Sequence, residues 1–208
     1  MRALLLALAA VSLSACNVVM SEEPLFTEAD AKQAPALRDG AWVSLTAECQ
    51  AQWRDPEAPP PSCAEHGEVR AGRLVPPDDP GQAVIVAGGG QPLIVQVQFT
   101  QQEAATGEAF RIHVYGALKP TRFDDHGRVV EARRWLVLCG EPPADAGLDS
   151  LRREEHLTRR PLPGLTVDDE LGICRARSSQ AVRNAARASE AWDVEKAAVR
   201  WIADPAGP

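Results

Sequence analysis

The sequence predicts an α+β domain: mostly antiparallel sheet with one C-terminal helix packed on it, stapled by two disulfides. Three observations predict it. Apolar and polar residues alternate with period two through several runs, the pattern of strands buried on one face. One alanine-rich run, 180–192, brings Val182, Ala185, Ala186, Ser189 and Trp192 onto a single helical face. Of the five cysteines, Cys49, Cys63, Cys139 and Cys174 lie within the body of the chain, an even number that suggests two bridges.

The elements follow in order. Asp39-Gly40 is a turn signal, and residues 41–49 then alternate, with Val43, Leu45, Ala47 and Cys49 on one face. Prolines 56, 59, 60 and 61 cannot pair in a strand or continue a helix, so 55–62 reads as a surface loop. Residues 68–75 form a weaker strand. Residues 83–87 and 93–100 flank Gly88-Gly89-Gly90 and read as a hairpin. A phosphate loop would need a lysine, a Ser/Thr and a helix, whereas Gln91-Pro92 and a strand follow. Residues 110–118 alternate cleanly. Asp124-Asp125-His126-Gly127 is a turn, and 129–139 is a strand whose unbroken apolar end, Trp135 to Leu138, predicts burial on both faces against a helix. A short helix is expected around 148–156. Ser178 or Ser179 is placed to cap the alanine-rich helix, and 197–203 reads as a last strand. The expected core is Val43, Leu45, Val95, Val97, Ile112, Val114, Leu136, Leu138, Val182 and Trp192, with Trp135 beside Trp192 among the aromatic residues.

For the cysteines, three pairings exist. Cys49–Cys63 and Cys139–Cys174 are expected, because each joins neighbours and closes a proline-containing loop. A zinc site would favour a closely spaced C-x-x-C pair, and the sequence has none.

The N-terminus carries a different kind of signal. Met1-Arg2 is a short positive start, 3–13 is an uncharged apolar run, and Leu13-Ser14-Ala15-Cys16 closes it with small residues and a cysteine. The run is too short to span a bilayer, which takes roughly 20 apolar residues. The segment resembles a bacterial lipoprotein signal peptide with its lipobox. That resemblance implies removal of 1–15, lipidation of Cys16 and a membrane held through the lipid anchor. Two or three acyl chains on Cys16 would anchor the protein firmly. Asn17, in place of aspartate, leans towards the outer membrane over the inner. Residues 16–36 are expected to be the acylated cysteine and a tether, reaching at most about 70 Å when extended. Leu25-Phe26 could dock on the body of the protein. Residues 37–204 would form a single globular domain and 205–208 a tail.

Charge narrows the partners. Lys and Arg number 22 against 29 Asp and Glu, a net charge of −7, and loss of Arg2 with the leader makes it one more negative. Such a balance disfavours nucleic acid, whose binding depends on neutralising phosphates.

For a site, the pattern offers one polar face. Arg111, His113 and Tyr115 share one side of one strand, and pairing with 93–100 would set Gln96 and Gln98 beside them. Such a face could bind a ligand or a partner protein; the plain alternative is the wet side of an antiparallel sheet. Asp124-Asp125-His126 is a turn before it is a metal site, and Glu154-Glu155-His156 and Asp168-Asp169-Glu170 read as solvated faces. No metal, cofactor or catalytic constellation is expected. The function expected is a non-enzymatic envelope lipoprotein that binds an envelope protein or a small-molecule ligand. The alternatives are an inhibitor of an exported hydrolase, and a cell-wall or lipid hydrolase using His113 or His126 as general base.

Overall fold

The computed structural model describes residues 17–53, 58–75, 82–102, 109–141, 160–168, 173–192 and 196–204. The expected helix at 148–156, the Glu154-Glu155-His156 cluster, Cys16 and residues 169–170 lie outside them.

Among the described residues, eleven strands join in one mixed, open sheet. Eight run antiparallel in sequence of pairing. They are β5 (Val84–Ala87), β6 (Leu93–Gln102), β7 (Ala109–Phe123), β8 (Val129–Leu136), β11 (Ala197–Ala203), β2 (Gly40–Thr46), β3 (Glu65–Arg70) and β4 (Arg73–Val75). The last of these, β4, comes to lie against the first, β5, with no ladder joining them. The sheet is therefore rolled, with an inside and an outside, as twisted sheets of this many strands tend to be. A second branch leaves the lower half of β7. There β1 (Val19–Ser21) pairs antiparallel with β7 and parallel with β10 (Ile173–Ala176), and β10 pairs with β9 (Leu165–Asp168).

Alternation sends successive side chains to opposite sides, and each side has its own cover. Inside one end of the roll, Leu37, Trp42, Val69, Leu93, Leu118, Val129 and Ala132 pack together. Outside, α3 (Ser179–Ser189) lies on the sheet, burying Val182, Ala185 and Ala186 against Tyr115, Ala117, Trp135 and Val137. Ser178 caps this helix, its hydroxyl accepting from the Ala181 amide at 3.2 Å. Its small residues bring it close enough for Trp135 Nε1 to donate to the Ala186 carbonyl at 2.9 Å. That carbonyl is among the last four of the helix, which lack a partner within it. Trp135 and Val137 thus face the helix while Leu136 faces inward, as the apolar run 135–138 predicts.

Both expected disulfides form, Cys49–Cys63 and Cys139–Cys174. The expected strand through Cys49 does not. After Thr46 the chain turns into α2 (Ala47–Gln52), and Thr46 caps it by accepting from the Cys49 amide at 3.3 Å. A local cap there outweighs the period-two pattern. Residues 68–75 are likewise a tight hairpin of β3 and β4, with Ala71 and Gly72 at positive φ of 51° and 73°.

The segment expected to be a tether is largely part of the fold. Asn17 to Ser21 are buried, and Val19 is a core residue with no exposed surface. Phe26 is buried too, and a short helix α1 (Glu28–Ala31) follows it. Asp30 O accepts from the Gly88 amide at 2.9 Å. A Cβ at Gly88 would stand 2.1 Å from the Gln33 carbonyl carbon, so the glycine of the β5–β6 hairpin is needed for this close approach.

Candidate functional site

Rolling the sheet leaves one end of its interior unfilled. The hollow has a volume of about 370 Å³ and is lined from β2, β3, β4, β6, β7, β8 and β11. Register fixes which residues face it, since directly opposed residues share a side. Val95 opposes Gly116, Val97 opposes Val114, and Gly116 opposes Leu136. Leu118 opposes Arg134, Ser44 opposes Glu65, and Trp42 opposes Gly67. At the filled end the inward residues are large: Trp42, Leu93, Leu118 and Trp201. Towards the hollow they are small: Ser44, Gly67, Gly116 and several valines. A Cβ at Gly116 would meet only ordinary contacts, Trp135 O at 3.5 Å and Val95 Cβ at 3.9 Å. Gly116 therefore serves there as an absence of volume.

The walls of this cup are apolar and half-exposed. Val95, Val97, Phe99, Val114, Leu136 and Val199 are each only half-buried. Of the expected core, then, Val95, Val97, Val114 and Leu136 line an open cavity, and Trp192 is also half-buried. Val43, Leu45, Ile112, Leu138 and Val182 are buried as expected. One cation and one carboxylate stand among the described lining residues. Arg134 Nε donates to Ser44 Oγ at 2.8 Å, and its Nη2 pairs with Glu65. The Arg134 side chain is 37% exposed and that of Glu65 72%. An apolar concavity with a few converging polar groups is the usual form of a small-molecule site.

The polar face expected to bind a ligand is instead covered. Gln96 and Tyr115 oppose each other, as do Gln98 and His113, so the expected pairing holds. But β1 pairs with β7 beside that face, and Leu25 and Phe26 lie over it. Gln96 Oε1 accepts from the Leu25 and Phe26 amides at 2.9 and 3.0 Å, and Nε2 donates to Phe26 O at 3.1 Å. Gln96 thereby substitutes for a strand partner. Tyr115 is fully buried, bonded to Ser21 Oγ, and its ring meets Phe26 edge-on at 6.0 Å. Burial pushes its phenol above the ordinary range. His113 is buried opposite Ser21, with no hydrogen-bond partner at Nδ1 among the described residues. Gln98 is half-buried, and Arg111 alone of the five is exposed. Gln96 is satisfied inside the fold by the Leu25 and Phe26 backbone, and Tyr115 by the Ser21 hydroxyl, groups that the sequence pattern does not show to be near.

Neither histidine named for general-base chemistry lies in the cup. His126 sits in the β7–β8 turn, where Asp124 Oδ1 accepts from the His126 and Arg128 amides at 3.0 and 2.9 Å. From His113 to that turn is ten residues of strand, roughly 33 Å. Ser44, Glu65, Gly67, Gly116 and Arg134 were not expected as site residues. Their signal is a small or charged residue at an inward position of an otherwise apolar alternation.

No family model, no curated protein and no solved structure matches the chain, so its reading rests on the chemistry of the cup.

Proposed function

We propose that the protein is a lipid-anchored envelope protein that binds a small apolar ligand in the cup without transforming it. One observation carries the reading: inward apolar side chains stay half-exposed around a hollow that no side chain of the described residues fills. Apolar surface held open to water favours an apolar occupant. Gly116→Leu would put a side chain into the hollow. It should weaken binding of the fluorescent apolar probe N-phenyl-1-naphthylamine at least tenfold, with the melting temperature within a few degrees of the parent. Unchanged probe binding in that variant would refute the cup as the site.

The envelope location rests on Leu13-Ser14-Ala15-Cys16. Because Asn17 is already buried and bonded to Cys139 and Gly140, a lipid on Cys16 would hold the domain at the membrane surface with no free tether between them. Cys16→Ala should leave the leader uncut and the protein without its acyl chains, as read by mass spectrometry. A mature N-terminus at any residue other than Cys16 sinks this part of the proposal.

A further inference from the structure

We propose that the ligand of the cup is a single-chain amphiphile with a carboxylate head, its chain on the apolar walls and its head on Arg134 in place of Glu65. The inference deepens the reading of the cup as a ligand site and rests on it.

Arg134 stands on an inward position, directly across from Leu118 on β7. Its guanidinium does not hang free in solvent, because Nε is held on Ser44 Oγ at 2.8 Å. That bond aims the rest of the fork, a planar donor set suited to two-pronged capture of a carboxylate. A carboxylate already sits there, that of Glu65. It marks where an anionic head would go, and it can leave. Its side chain is 72% exposed, and an ion pair so open to water contributes little. Displacing Glu65 returns it to solvent, while a bound chain covers Val97, Val114 and Leu136, which are otherwise half-wet.

Size and charge select further. A hollow of about 370 Å³ is near the small end of ligand cavities, which run roughly 300–1,000 Å³. It takes one short chain rather than the two of a phospholipid. The protein's net charge of −7 offers anions no general attraction, so the head must be recognised locally. An amine head would need the Glu65 carboxylate, which Arg134 holds, and taking it would leave the guanidinium without a counter-charge beside the chain.

The test uses the full lipid-anchored protein in phospholipid nanodiscs, with empty discs as blank. Decanoate, 1-decanol and decylammonium are titrated at pH 8 by calorimetry. Decanoate should bind one to one and at least tenfold tighter than decanol. Arg134→Met should weaken decanoate at least tenfold and leave decanol within twofold, which also shows that the cup still folds. Glu65→Gln, which removes the competing carboxylate, should tighten decanoate. Decanol binding as well as decanoate, decanoate unaffected by Arg134→Met, or decylammonium binding tightest would each overturn the carboxylate assignment while leaving the cup a ligand site. Binding of none of the three overturns the cup reading itself.

Discussion

Replacing Cys139 and Cys174 together by alanine should lower the melting temperature by roughly 8–16 °C. The bond spans 35 residues, and the chain-entropy account gives a loop of that length about 4 kcal/mol. Each kcal/mol corresponds to roughly 2–4 °C in a domain of this size. The placement argues for the full effect. Both cysteines are wholly buried in the cluster beneath α3. The bond also fastens the branch that carries β1, since Val19 pairs beside Cys174 and the Cys139 amide donates to Asn17 O at 2.7 Å. Loss of the bridge loosens the N-terminal strand from two sides. The other bridge closes only 14 residues, and Cys63 is exposed, so a mild thiol should open Cys49–Cys63 first. A fall of under 3 °C in the double variant, or first reduction of Cys139–Cys174 by peptide mapping, contradicts this account.

Trp135→Ala should destabilise the fold by about 3–5 kcal/mol, the usual range for removing a buried aromatic ring. Trp135 is 3% exposed and lies between β8 and α3. Two losses combine. The ring's volume becomes a void under the helix, and the Ala186 carbonyl loses the donor that completes the helix end. Trp135→Phe keeps most of the volume and loses only the hydrogen bond, so it should cost about 1–2 kcal/mol beyond any repacking. Urea denaturation with the midpoint and slope compared across the three proteins checks both values. Equal stability of Trp135→Phe and Trp135→Ala would mean that packing on α3 is not what Trp135 supplies.

Much of the local structure is written locally. The strands β5, β6, β7, β8 and β11 follow from alternation, and α3 follows from alanine content and the Ser178 cap. The turn at Asp124 follows from an aspartate whose side chain accepts the amides just after it. Interactions across a few residues decide such elements, so a pattern a few residues long reveals them. Elements with weak local signals escaped. Val19–Ser21 is only three residues long and becomes a strand because β7 and β10 offer it two edges. Thr46 converts an apparent strand into a helix start through one hydroxyl.

The candidate site lay further from reach. Period two states that a strand has two different faces; it does not state what covers each. Arg111, His113, Tyr115, Gln96 and Gln98 look like a wet face, yet Gln96, His113 and Tyr115 are buried, because the segment 19–26 comes against them from some 70 to 95 positions away, giving Gln96 backbone partners and Tyr115 the Ser21 hydroxyl. The apolar face opposite looks like core, yet part of it is a hollow. By itself, the sequence determined the sheet-rich α+β class, the disulfide-pairing choice and the capped C-terminal helix. Only the tertiary structure decided which face is sealed and which stays open. That outcome depends on how far the sheet curls and on whether the side chains meeting across the roll add up to its interior volume. Gly67, Gly116 and Ser44 do not add up to it, and they come together only once β2, β3 and β7 have closed around the same space.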